Sequence, residues 1–265
     1  MTLTIATWNI NSVRLRIGNL ARLAQELAPE VICLQETKTP DEFFPREAVA
    51  ALGYKHILIH GMKGYNGVAI VSRLPLTETR NQSWCEREDC RHIVAGLPGG
   101  IELHNLYVPA GGDEPDPDSN PKFAHKLQFL DQVSNYFAGE KARKKTMVLV
   151  GDLNVAPLEN DVWSHKQLLD VVSHTPIEVE KLNRLQARGG FVDAVRHFVP
   201  PTERLYTWWS YRARDWAASD RGRRLDHIWV SPALQGRLKK TAVHREARDW
   251  KQASDHVPVL IRIGG

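Results

Sequence analysis

The sequence predicts a two-sheet α/β or α+β sandwich, and three observations carry that prediction. Short apolar runs rich in Val and Ile recur along the whole chain. Helical stripes separate only some of these runs. Neither a GxGxxG nor a P-loop pattern occurs, which removes the dinucleotide-binding and P-loop folds.

The runs are LTIATWNI (3–10), EVICLQE (30–36), KHILIH (55–60), GVAIVS (67–72), RHIVAGL (91–97), IELHNLYV (101–108), TMVLVGDL (146–153), RLYTWWSY (204–211), RLDHIWVS (224–231) and VPVLIRI (257–263). Each has strand length and β-branched or aromatic content. Ile17, Leu20, Ala24 and Leu27 line one face of a helix that Pro29 stops. Phe123, Leu127, Leu130 and Phe137 mark a second helix over residues 121–138. Residues 176–198 read as helical with a break at Gly189-Gly190. The Pro- and Asp-rich stretch 109–121 reads as an exposed connector. Its alternative is a loop bordering a site, since it follows a candidate site strand. No Gly/Ser linker and no internal repeat divide the chain.

A chain of 265 residues can bury a full core, because folding at this length removes roughly 70–75% of the unfolded surface. The 42% hydrophobic and 25% charged content excludes disordered and collagen-like chains. No apolar run approaches the roughly 20 residues that span a bilayer. The first residues lack the basic region and cleavage site of a signal peptide. Cys33, Cys85 and Cys90 form no CxxC pair, so buried thiols in a reducing, cytoplasmic compartment are expected.

Charge is distributed unevenly. Residues 1–180 carry 18 Lys and Arg against 23 Asp and Glu, net −5, while residues 181–251 carry 16 against 7, net +9. A basic C-terminal third fits a polyanion-binding face, with solubilising surface charge as the plain alternative.

Polar residues end several otherwise apolar strands: Asn9, Glu36, Asp152 and Asn154, then Asp226, Asp255 and His256. A buried carboxylate is costly unless paired or holding a metal. One such case is an ordinary turn or cap, but five segments point to a site built at strand ends. The oxygen donors suit Mg²⁺, with Mn²⁺ as a substitute, and no Cys cluster or HExxH argues for zinc. A hard cation, a carboxylate–imidazole set and a basic surface together point to phosphate-ester hydrolysis.

WNINSVR (8–14), LQETK (34–38), GDLNVAP (151–157), YTWWSYR (206–212), RGRRLDHIWVS (221–231) and SDHVPV (254–259) resemble the exonuclease III family of abasic-site endonucleases, nearly end to end and in order. The resemblance implies an α/β four-layered sandwich, two central mixed β-sheets flanked by helices, as a single domain over 1–265. It implies cleavage of duplex DNA on the 5′ side of abasic sites, with 3′–5′ exonuclease and 3′-phosphodiesterase activity. It implies no membrane and no obligate protein partner. Carried over residue by residue, Glu36 resembles the principal metal ligand, with Asn9 near it and Asp255 as an auxiliary acid or ligand. Asp152 resembles the residue that orients or deprotonates the attacking water, and Asn154 a phosphate-contacting amide. Tyr107 matches a tyrosine that contacts the scissile phosphate. His256 resembles the phosphate-binding histidine, oriented by Asp226. Trp208 and Leu225 match the lining of a pocket for the flipped-out sugar. Arg223 departs from several relatives, which carry a bulky apolar residue there.

DNA contacts are further expected of Asn11, Lys38, Arg212, Arg221, Arg223 and Arg224, because phosphate binding by Arg beside aromatic residues is a recurring arrangement. Lys38 is expected to share a strand face with Glu36. Trp8, Trp84, Trp163 and Trp229 are expected in the core. The rival readings are a phosphatase or phospholipase on inositol phosphates or sphingomyelin, and a non-catalytic DNA-binding module. LQETK and the aromatic–basic stretch 204–224 weigh against the first, and the fully occupied polar set against the second.

Overall fold

The computed structural model describes residues 2–139 and 144–265. Its first strands are β1 (Leu3–Asn9), β2 (Val31–Gln35), β3 (His56–His60), β4 (Val68–Ser72), β5 (Thr77–Asn81), β6 (His92–Leu97) and β7 (Ile101–Tyr107). There follow β8 (Thr146–Asp152), β9 (Val192–Asp193), β10 (Trp208–Trp209), β11 (Gly222–Arg223), β12 (Asp226–Val230), β13 (Leu238–Val243) and β14 (Val259–Ile263). The longer helices are α1 (Ile17–Glu26), α2 (Arg46–Ala51), α3 (Pro121–Phe137) and α4 (Pro176–Gly189).

One six-stranded sheet runs β13-β14-β1-β2-β4-β3 and the other β5-β6-β7-β8-β12-β9. Each is mixed: β1–β2 and β7–β8 pair in parallel, and their other partners are antiparallel. The sheets pack face to face. Ile5, Cys33 and Ile70 of the first meet Ile93, Val148 and Ile228 of the second. Outside the first sheet, Trp8, Ile32 and Leu34 pack on Leu20, Leu23 and Val49 of α1 and α2. Outside the second, Leu149 and Trp229 pack on Phe129, Phe137 and Leu185 of α3 and α4. The result is the expected four-layered sandwich. Both faces of the central strands are covered, so β2 and β4 read as unbroken apolar runs rather than as alternations.

Three polar side chains cross the inter-sheet core just beneath the strand ends. Gln35 donates to Asn105 Oδ1 at 2.7 Å and to Thr7 Oγ1 at 3.0 Å. Asn105 in turn donates to the carbonyls of Leu34 and Ala69 at 3.0 and 2.9 Å. These bonds tie β7 of one sheet to β2 and β4 of the other.

Several expectations change. The helix expected over 176–198 ends at Gly189, where Gly190 turns left-handed (φ 66°) and the chain enters β9. Pro176 and a Thr175–Glu178 capping box start it. The 204–211 run yields only the two-residue β10. Strands β5 and β13 carry TETRN and LKKTAV, polar edge sequences with little apolar periodicity. All three cysteines are free and buried. No helix among the described residues is long and apolar enough to cross a membrane.

Candidate active site

Asn9 ends β1 and Glu36 follows β2; Tyr107 ends β7 and Asp152 ends β8. Asp226 opens β12, and Asp255 and His256 lead into β14. The carboxyl ends of the parallel pairs therefore converge, the usual place for a site in α/β sheets. They border a cavity of about 550 Å³ whose lining includes Glu36, Asp152, Asn154, Asp255 and His256.

The backbone is bent to make this possible. Asn11, Glu36, Lys38 and Asn154 all have φ between 48 and 52°, a left-handed conformation that costs a non-glycine residue energy. Gly151 (φ 146°) lies so close to β7 that a Cβ would stand 1.8 Å from the Leu106 carbonyl. Glycine there lets β8 carry Asp152 into register with Tyr107 and Asp226.

One connected network joins the polar groups. Asn9 Nδ2 donates to Glu36 Oε1 at 3.0 Å and to Asp152 Oδ2 at 2.9 Å. Tyr107 Oη donates to Glu36 Oε1 at 2.7 Å, and Lys38 Nζ meets Glu36 Oε2 at 2.7 Å. Asp226 Oδ2 lies 2.8 Å from His256 Nδ1 and accepts from Thr207 Oγ1 at 2.6 Å. His256 Nε2 stands 3.6 Å from Asp152 Oδ2. Asn154 uses its side-chain NH₂ on the Val108 carbonyl, and its backbone N–H donates to Asp152 Oδ1 at 3.0 Å.

Charge follows from this geometry. Burial pulls the His256 imidazole down, but Asp226 and Asp152 outweigh it and raise the pKa to about 10, so the ring is an imidazolium at neutral pH. Burial raises Asp152 to about 7; His256 draws it down, and Asp226 pushes it up. Burial also raises Glu36, yet the Lys38 charge and bonds from Asn9, Lys38 and Tyr107 hold it below the usual carboxylate value. Tyr107 is pushed well up by burial and by Glu36 and Asp152, so it remains a neutral donor.

Two groups of residues compete as a cation site. Ligand atoms of Asp152, Asp226 and His256 lie within 4.8 Å of one another. His256 Nδ1 is committed to Asp226, however, and a protonated imidazole cannot ligate. That trio suits a proton better. Glu36 and Asp152, bridged by Asn9, offer hard oxygens at the cavity edge, the donor set a hard divalent cation takes. Lys38 now pairs with Glu36 Oε2 and is the cation a metal would displace.

The opposite wall is aromatic and basic. Trp208 donates from Nε1 to Asp255 Oδ2 at 2.9 Å. Arg223 Cζ lies 5.3 Å from the Trp208 ring centroid, and Arg221 Cζ 4.7 Å from that of Trp163. Leu225, Arg212 and Arg221 also border the cavity.

The expected set is thus largely brought together, with corrections. Arg224 is fully buried; it meets Asp193 at 2.6 Å and Asp161 at 3.6 Å, so it is an internal ion pair and not a DNA contact. Trp163 is half-buried at the cavity, not in the core. Lys38 does meet Glu36, but through two left-handed residues past β2 rather than along a strand face. Asn9 presents its NH₂ to the carboxylates while its oxygen accepts from the Asn11 N–H at 3.1 Å, not the arrangement of a metal ligand. Asp255 Oδ1 accepts from Asn11 and Oδ2 from Trp208. Lys38 also donates to Asn11 Oδ1 at 2.7 Å. The 109–121 stretch borders the site through Ala110, Gly112 and Asp113. Sequence reasoning missed Thr207, Val172 and Ser173; only Thr207, inside a quoted motif, carried any signal.

Two packed mixed sheets with carboxylates and an imidazolium at their strand ends define a hydrolase-type sandwich. A profile of the Endonuclease/Exonuclease/phosphatase family matches residues 6–256, and the chain belongs to that family. It is 31% identical over 264 residues to exodeoxyribonuclease III of Haemophilus influenzae, covering 96% of this chain and 97% of that one. It is similar in structure to an AP endonuclease from Archaeoglobus fulgidus (TM-score 0.90, 33% identity, 98% of each chain). It is equally similar to a 3′ phosphatase from Neisseria bound to a product DNA hairpin (TM-score 0.91, 30% identity, 99% of this chain and 100% of that one).

Proposed function

We propose that the chain is a metal-dependent DNA-repair nuclease, acting on duplex DNA as one domain over residues 1–265. It cuts the phosphodiester 5′ to abasic sites, leaving a 3′ hydroxyl, and clears nucleotides and blocking groups from 3′ ends. The observation that carries this reading is the Glu36–Asn9–Asp152 bridge set against the Asp226–His256 pair in one cavity. Relatives named as an exodeoxyribonuclease, an AP endonuclease and a 3′ phosphatase support it.

In this reading Glu36 and Asp152 would hold Mg²⁺, for which Mn²⁺ would substitute, and the ion would supply neutralisation of charge on the phosphate. Asp152 orients a water or takes its proton. The water oxygen adds to phosphorus, and the bond to the 3′ oxygen breaks. His256 Nε2–H donates to a non-bridging oxygen as charge grows there, and Asp226 holds the ring in place. Tyr107 and Asn154 contact the phosphate, with Asn11, Lys38, Arg212 and Arg221 along the DNA. Trp208 and Leu225 line the space for what lies beyond the phosphate. The protein works in the cytoplasm, without an obligate protein partner.

The test is a duplex carrying one tetrahydrofuran abasic analogue. A single nick on its 5′ side is expected with Mg²⁺, and none in EDTA. Full cleavage in EDTA would overturn the metal dependence, and an intact strand under both conditions the function.

A further inference from the structure

Three stretches of the cavity lining lie outside the strands: the turn after β8, the loop after β7 and the residues before α4. One buried side chain joins them. Lys126 lies on α3, and its side chain is fully removed from solvent. An ammonium has three N–H donors. Here one meets the Asn154 carbonyl at 2.8 Å, one the Ala110 carbonyl at 3.2 Å, and one the Glu178 carboxylate. Asn154 and Ala110 both line the cavity, and Lys126 stands behind them. Glu178 completes the junction. Its oxygens accept from the Ser173 N–H at 3.0 and 2.9 Å, from the Thr175 N–H at 3.2 Å and from Thr175 Oγ1 at 2.7 Å. Ser173 belongs to the same lining. Gly111 (φ 92°) makes room for the lysine stem, since a Cβ there would stand 2.9 Å from Lys126 Cδ and 3.1 Å from Val172 Cγ1.

The turn that Lys126 grips is strained. Asn154 is left-handed (φ 52°), so it stays there only while its surroundings hold it. Its carbonyl is tied to the ammonium, and its backbone N–H donates to Asp152 Oδ1 at 3.0 Å. Its side chain donates to the Val108 carbonyl at 2.9 Å. The peptide after Asn154 is therefore fixed to a buried charge, and the peptide before it to the Asp152 carboxylate. Stability alone does not call for such a pair, because apolar residues of similar volume often replace a buried ion pair without loss.

We propose that Lys126 is a positioning residue for the reaction: from behind the cavity its ammonium, neutralised by Glu178, fixes the Asn154 turn and with it the orientation of the Asp152 carboxylate. Lys126 touches no substrate and acts only through the two carbonyls it holds. The effect on rate rests on the nuclease reading above, while the effect on the turn stands without it. Glu178 serves the charge of Lys126 and the start of α4, and it bonds neither Asn154 nor Asp152. The two members of the pair therefore differ in role: Lys126 bears on turnover, Glu178 on folding.

The experiment compares wild type with two variants. Lys126→Met with Glu178→Gln removes the ion pair at nearly constant volume. Glu178→Gln alone leaves Lys126 both of its carbonyl bonds. Two quantities are read, well below the melting temperature of each protein. One is kcat and KM on the tetrahydrofuran duplex, per folded molecule. The other is amide hydrogen exchange at Asn154 against the amides of β8, in the protein without DNA or metal. The double variant should lose roughly 10²-fold in kcat, the cost of about 1 Å of misplacement, with KM little changed. Its Asn154 amide should exchange about tenfold faster or more, while the β8 amides stay as they were. Glu178→Gln should lower the melting temperature yet keep most of the wild-type kcat and the slow Asn154 exchange. A wild-type kcat or a wild-type Asn154 exchange in the double variant overturns the proposal, as does an equal loss of kcat in both variants. Should the double variant not fold, Gly111→Ala takes its place, since it keeps both charges and pushes on the Lys126 stem. The same two changes are expected of it, and wild-type values overturn the proposal. A wild-type protein that leaves the duplex uncut counts against the nuclease reading, and the exchange at Asn154 then decides the role of Lys126.

Discussion

The two walls of the cavity are finished to different degrees. On one, Asn9, Glu36, Tyr107, Asp152, Asp226 and His256 spend their polar atoms largely on each other, at 2.7–3.0 Å. On the other, Arg221 and Arg223 lie over Trp163 and Trp208 and meet no carboxylate among the described residues. The first wall is assembled before any ligand arrives, as a reacting centre must be. The second keeps cations open, as a surface for a polyanion must. Arg224 shows that the chain can close a cation when stability needs it: Asp161 and Asp193 neutralise it in the interior.

Damage to the closed wall should show in turnover, and damage to the open wall in recognition. The largest effect is expected for Asp152→Asn, which removes the water-orienting carboxylate and should lower kcat roughly 10³–10⁴-fold in single-turnover assays. A loss of under tenfold would place the base elsewhere. Arg224→Gln should leave the cleavage site unchanged but lower unfolding free energy by about 3–5 kcal/mol, because two buried carboxylates lose their partner. Denaturant melts measure this, and near-wild-type stability would mean that water reaches the pair.

His256→Gln should lower kcat about 10²–10³-fold, the worth of one well-placed donor to a developing charge. The same imidazolium sets a pH limb. Its pKa is raised from 6.5 to about 10, so the donor is present at neutral pH and is lost as pH rises through about 10. Asp226→Asn should move the alkaline limb of the rate profile downward. A fixed limb would show that another group titrates there. The smallest effect is expected for Arg221→Gln, which should reduce the slope of log affinity against log salt by roughly 0.9, one phosphate contact. An unchanged slope would return Arg221 to the solvated face.

Legibility in the sequence follows the same division. The central strands could be read because both faces are buried and their Val and Ile runs are continuous. The edge strands β5 and β13 could not, because edges are kept polar. Residues of the closed wall stood out as polar ends of apolar strands, an arrangement that burial makes conspicuous. The open wall was harder. RGRR offers four residues with three identical charges, and nothing local tells Arg223 from Arg224. The difference is made by Asp161 and Asp193, far along the chain, and by where β11 gives way to β12. The left-handed turns at Glu36 and Asn154 were equally hidden, since neither residue is a glycine.

The polar crossing at Gln35 and Asn105 has a mechanical consequence. Glu36 and Asn9 belong to one sheet, Tyr107 and Asp152 to the other, and the surfaces between are mostly apolar side chains whose attraction has no direction. Grease alone would let two such plates creep past one another. The 2.7 Å bond from Gln35 to Asn105, one residue before Glu36 and two before Tyr107, acts as a dowel set beside the working edge. An offset of about 1 Å there can cost 10²-fold in rate. Loosening the dowel should therefore blunt the enzyme before it melts it, because the alignment of the two sheets there rests on a few directional bonds.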